Sequence, residues 1–174
     1  MGNPIPLPPA LKRLKADRPK ISFSDVLSLD LNGEAIHVVH QHPGFSNADA
    51  IAHFHVGNLV YMGEDFPGDG YPRIDQAQSG RLEGMIETLS AWTDKAFRIV
   101  PARGAVTDGD AVKSFVAMLT AIQGRVQALI RQGKSEDQIV AIHPTLEFDK
   151  RWGRGRVSAD SFVRDVYKSL VSQR

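Results

Sequence analysis

The sequence predicts an α+β fold, with a meander of antiparallel strands first and helices after it. Three observations carry that expectation. The first third of the chain alternates apolar and polar residues, Asn32-Gly33 offers the commonest two-residue hairpin turn, and beyond Asp75 the apolar spacing changes from two to about three and a half.

Each element follows in order. Pro4, Pro6, Pro8 and Pro9 make the start an extended arm, and ALKRLK after them reads as a helical turn or two. ISFSDVLSLDL alternates as a strand, Asn32-Gly33 turns the chain, and EAIHVVHQ returns. ADAIAHFH and NLVYM form a second hairpin through a tight turn at Val56-Gly57. Leu82, Met85, Ile86 and Leu89 mark an amphipathic helix, and FRIVP is a short apolar strand closed by Pro101. Thr107-Asp108 offers an N-cap to the longest helix, whose stripe runs from Val112 through Phe115, Leu119, Ile122 and Val126 to a stop at Gly133. Ser135 begins a short helix that ends before His143-Pro144. Ser158 caps the last one, with Phe162, Val163, Val166, Tyr167 and Leu170 facing inward.

At 174 residues the chain is long enough to bury a core as one domain. Its 21 Lys and Arg balance 20 Asp and Glu with no run of like charge, so the electrostatic footprint of a nucleic-acid binder is missing. Having no cysteine, it offers neither disulfides nor thiolate zinc ligands. No stretch reaches the ~18 to 20 apolar residues of a membrane span. The start lacks the apolar core of a signal peptide, and Pro6 stands where a myristoylation site needs Ser or Thr. The expectation is a cytoplasmic protein that binds neither nucleic acid nor membrane.

Candidate site residues fall in two groups. MGEDFPGDGYPRID, Met62 to Asp75, packs three glycines, two prolines and four carboxylates into a loop. Glu64 beside Asp65 reads either as an acid pair of raised pKa or as loop carboxylates whose side chains point apart. The glycines match no phosphate-binding loop. His40 and His42 share one strand face, as do His53 and His55, so four rings converge on a metal if those strands are neighbours; otherwise they are half-exposed histidines on a sheet. RWGRGR, Arg151 to Arg156, is either an anion grip or a surface turn before a helix, and Ser46 near His42 is a weak hint of a nucleophile.

From Ile21 onward the order of features resembles the C-terminal half of the metallo-β-lactamase-fold hydrolases, which use zinc or iron. PGFSNAD at Pro43 to Asp49, GEDFPGDGYPRID at Gly63 to Asp75 and PARG at Pro101 to Gly104 stand where that family has metal-binding loops. The resemblance implies residues 1–20 as a proline-rich arm and 21–174 as half of an αββα sandwich, mainly antiparallel sheet with helices on one face. Carried across residue by residue, the family's ligands fall on Phe45, Glu64 and Arg103, and the His-x-His-x-Asp-His motif that supplies the others is not in this sequence. Phenylalanine cannot ligate, and arginine carries a fixed positive charge. The resemblance thus implies no cofactor: Phe45 plugs the space and Arg103 pairs with Glu64. Two functions follow. One is a non-catalytic, metal-free module that forms a homodimer and binds a small anion at Arg103 or a protein. The other is a hydrolase that uses the histidines or a separate N-terminal half. A lone half leaves an apolar sheet face bare, which implies the homodimer.

Overall fold

The computed structural model describes residues 21–172. The proline arm expected over residues 1–20 lies outside them. Six strands form one sheet in the order β1 to β6: Val26–Leu31, Glu34–His40, Ala50–Phe54, Leu59–Tyr61, Arg98–Val100 and Thr107–Asp108. All neighbours run antiparallel except β4 and β5. Those two are parallel because helix α1, Leu82–Ser90, crosses over between them.

The local chemistry explains the joints. Asn32 and Gly33 have φ of 53° and 83°, the left-handed pair that a two-residue hairpin needs. The second hairpin turns at Val56-Gly57, as expected. It spans four residues, His55 to Asn58, with Asn58 left-handed and its N–H donating to the His55 carbonyl. The first strand starts at Val26 rather than Ile21. Asp108 caps α2, Gly109–Arg131, by accepting from Ala111 N, and also closes the two-residue strand β6. At the other end Gly133, with φ of 77°, donates to Ile130 O while Lys134 N donates to Leu129 O, so the last carbonyls of α2 are satisfied. Helix α3, Glu136–Ala141, opens with a reciprocal Ser135–Gln138 capping box. A single turn, α4 at Asp149–Trp152, precedes α5, Ala159–Val171. No helix among the described residues is long and apolar enough to cross a membrane.

Directly paired residues share a face of a sheet, so the register sorts the strands into two sides. On one side Ile51, Val60 and Ile99 are fully buried and join Leu82, Met85 and Leu89 of α1, Phe115, Leu119 and Ile122 of α2, and Phe162 and Val166 of α5 in one core. The other side carries two apolar rows. Leu29, Ile36, Phe54 and Leu59 make the first, and Leu27, Val38, Ala52, Tyr61 and Val100 the second. None of these nine is buried among the described residues. The helices gather on one face, as expected of half a sandwich.

Candidate functional site

The loop between β4 and α1 is held at both ends and in the middle. Tyr71 stacks on Phe162 with ring centres 4.9 Å apart. It donates its hydroxyl to Asp149 Oδ1 at 2.7 Å, and its backbone N–H to Trp152 O. Burial and the Asp149 carboxylate push the phenol well above its usual range. Gly70 has no room for a side chain, because a Cβ there would lie 2.7 Å from Gly155 Cα. RWGRGR is accordingly a turn that docks on this loop, with Arg151 stacked over Trp152.

Loop residues 63–69 are zipped to PARG through backbone bonds from Ala102 N to Phe66 O and from Arg103 N to Pro67 O. Gly68, with φ of 80°, lets the two strands of chain approach, since its Cβ would meet Arg103 O at 2.3 Å. This zipper places the Arg103 guanidinium between two carboxylates. Nη1 donates to Glu64 Oε1 at 2.6 Å and Nε to Asp69 Oδ2 at 2.9 Å. Those bonds, the Glu64 one first, raise the arginine pKa further beyond its already high value. Arg156 stands 3.9 Å from Asp69 on the outer side. The contact between Arg103 and Glu64 is therefore present, and Asp69 is a partner that the sequence did not single out.

Glu64 and Asp65 point apart. Asp65 is fully buried, and its Oδ1 accepts from Phe45 N at 2.7 Å. Its Oδ2 has no hydrogen-bond partner among the described residues. Burial raises this carboxyl to about 7, the Phe45 N–H pulls it down, and Asp49 pushes it up. Gly44 makes the approach possible, as a Cβ there would fall 2.1 Å from Asp65 Oδ1. Phe45 is thus fixed by its backbone: its N–H to Asp65, its carbonyl to Asp75 N, and its ring against the core. Ser46 is buried, with its hydroxyl accepting from Ala48 N in a local turn, which leaves it no nucleophile's exposure.

The histidines do not gather as a set of four. His40 Nε2 pairs with Asn47 O at 3.0 Å, and His42 reaches Glu87 at 3.4 Å on the surface. His53 and His55 instead meet His37, which lies outside the two sequence-spaced pairs. His55 Nε2 and His37 Nδ1 are 3.0 Å apart, and the His53 ring lies 4.2 Å from that of His55. The signal for His37 is the register, which sets it opposite His53 across β2 and β3. Among the described residues no group of three or more His, Asp or Glu side chains is arranged to hold a metal ion.

The architecture matches solved structures. The chain superposes on a stereoselective inverting sec-alkylsulfatase, Pisa1, from Pseudomonas sp. with a TM-score of 0.64 at 16% identity, covering 87% of this chain and 26% of that one. It matches a metallo-beta-lactamase family protein from Thermus thermophilus with a TM-score of 0.61 at 14% identity, covering 97% and 55%. A beta-lactamase domain protein from Burkholderia ambifaria gives 0.56 at 15% identity, covering 87% and 45%. The chain carries part of a metallo-β-lactamase fold. It spans from about a quarter to about half the length of these proteins. Comparison of the sequence with protein-family models and with curated proteins finds no match. At the positions that the resemblance assigns to metal ligands, the metallo-β-lactamase-like half presents a side chain without donor atoms, a carboxylate already paired, and the cation that pairs it. That set does not fit a divalent metal, whose charge Arg103 would oppose and whose ligand Glu64 would have to leave Arg103.

Proposed function

We propose that this chain is a non-catalytic, metal-free relative of the metallo-β-lactamase-fold hydrolases that serves as a binding or interaction module. The observation that carries this reading is Arg103, whose guanidinium lies between Glu64 and Asp69. A fixed cation there neutralises the carboxylates that a metal would otherwise neutralise, and it does so without an open coordination position on which water is acidified. Phe45 adds an apolar ring where the family has a donor. Since Arg103 is engaged by two carboxylates, the reading favours a protein partner over a small anion at that residue.

The half length favours one competing account, in which a separate chain brings the missing ligands. Such a partner would still meet Phe45 and Arg103, so catalysis by complementation is the weaker reading. The test is elemental analysis of the purified full chain after loading with zinc, iron or manganese and dialysis against metal-free buffer. The expected result is well below one metal per chain. One or more equivalents surviving dialysis would overturn the proposal.

A further inference from the structure

We infer that the helix-free face of the sheet is the docking surface for a second copy of this chain, set face to face about a twofold axis parallel to the strands. The inference rests on the reading of the chain as an interaction module and names its partner.

The composition of the two faces argues first. Near β1 the sheet runs out beyond the helix layer, and there its helix-side positions are exposed and mostly polar: Ser28 and Asp30, with Val26 the one apolar side chain among them, 53% exposed. The opposite face does not change in the same strand, where Leu27, Leu29 and Leu31 continue the apolar rows, with Leu31 54% exposed. A strand edge bathed in water on both sides has no use for that asymmetry. It is the pattern of a face buried across its whole width by another layer.

Size argues next. The two apolar rows and the flanking row that begins at Leu31, over four to five strands spaced ~4.8 Å apart, span on the order of 300 to 500 Å² of face, so that a pair buries roughly 600 to 1,000 Å², the low end for a specific interface. That much contiguous apolar surface is at the limit of what a monomer exposes.

Charge selects the partner. Two opposite charges flank the rows: Glu34 at the start of β2, whose Oε1 accepts from Val56 N at 2.8 Å and whose second oxygen is left for another partner, and Arg98 on β5, which is exposed and pairs in register with Leu59. In a sheet ordered β1 to β6, an axis between β3 and β4 lays β2 of one copy over β5 of the other. Glu34 then faces Arg98 of the second copy, one row along, and the same pair forms again by symmetry. Each copy thus supplies both halves of the complementarity.

The experiment is sedimentation equilibrium of the full chain from 1 to 50 μM. The expected mass is twice the 19.1 kDa of one chain. Tyr61→Glu, on the face and 44% exposed, should weaken the dimer at least 100-fold, whereas Ser28→Glu on the opposite face should leave it unchanged. Glu34→Arg alone should weaken association about tenfold, and Arg98→Glu added to it should restore it. A folded monomer at 50 μM overturns the inference, as does a dimer indifferent to Tyr61→Glu. A monomer that dimerises only when residues 1–20 are removed also overturns it, by making the arm the occupant. Failure here is separable from failure of the function: a metal-free monomer refutes the docking alone, and a metal-bearing dimer refutes the function alone.

Discussion

Arg103 Nη1 and Glu64 Oε1 lie 2.6 Å apart, and the same guanidinium reaches Asp69 through Nε. Removing the arginine alone leaves two carboxylates facing each other. A stripped buried pair typically costs ~3 to 5 kcal/mol. Here water already reaches Glu64, 43% exposed, and Asp69, 30% exposed. Arg103→Met should therefore destabilise by about 1 to 3 kcal/mol in urea titration. Adding Glu64→Gln should recover part of that loss. Strictly additive effects in the double-mutant cycle would show that the two side chains do not interact.

Restoring the family's residues should not restore chemistry. The variant Phe45→His, Glu64→Asp, Arg103→His would hold three candidate ligands from this half. The sequence has no His-x-His-x-Asp-His motif to complete them. Asp69 also loses Arg103 in this variant and keeps only Arg156, 3.9 Å away. The expected outcome is no turnover of ester, lactam or thioester substrates above buffer, with zinc added; measurable turnover would show that the site is closer to function than its residues imply.

The strands and the long helix were legible because local signals agree with the fold. Asn32 and Gly33 adopt the left-handed pair that their identities favour, and Asp108 and Gly133 bracket α2. The apolar excess of the meander was legible too, but not which residues share the bare face, since that needs register. Register across β2 and β3 depends on a nine-residue connection, residues 41–49, with no turn signature, so nothing local in the sequence marks His37 as the partner of His53 and His55. The separation of Glu64 from Asp65 follows from adjacency. The burial of Asp65 does not, because it depends on Gly44 leaving space for it from a loop about twenty residues earlier.

Two glycines should respond in opposite directions. A Cβ on Gly84 in α1 would stand 2.0 Å from Pro43 O, which is backbone and cannot swing aside. Gly84→Ala should cost more than ~3 kcal/mol or prevent folding, by overpacking. Gly124 in α2 is exposed with nothing within 4 Å, so Gly124→Ala should stabilise by about 0.5 to 1 kcal/mol through the helix preference of alanine. Equal effects in thermal melts would mean that α1 does not lie against Pro43.

The histidine cluster should make the protein sensitive to mild acid. Burial lowers the pKa of His53, the Asn58 side chain opposes that, and His55 and His37 lower it further. A histidine depressed in the folded state binds fewer protons than in the unfolded chain, so stability is present above about pH 6.5 and lost as pH falls through the folded value. His53→Phe keeps an aromatic ring against Trp92 and Phe97 and removes the titration. The loss in melting temperature between pH 7.5 and 5.5 should be smaller in the variant; an identical loss would place the acid sensitivity elsewhere.

Asp65 should act with the opposite sign. Its carboxyl is raised from 3.8 to about 7 in the folded state, chiefly by burial. Below the unfolded value both states are protonated and nothing is lost. Between about pH 4 and 7 the unfolded chain releases its proton while the folded chain keeps it, so stability falls as pH rises through that window. Three pH units at 1.36 kcal/mol each set the full effect on the order of 4 kcal/mol, as an upper value, since local opening would hydrate the group. Asp65→Asn removes the titration and retains an oxygen to accept the Phe45 N–H, with Gly44 still leaving it room. The variant should therefore match the wild type near pH 4 and exceed it in stability at pH 8, and the gap should open across the window where the His53 contribution moves the other way. Urea midpoints at half-unit steps from pH 4 to 8 separate the two. Parallel profiles for wild type and Asp65→Asn would mean that the carboxylate ionises as it does in water, and that its second oxygen finds a partner in solution.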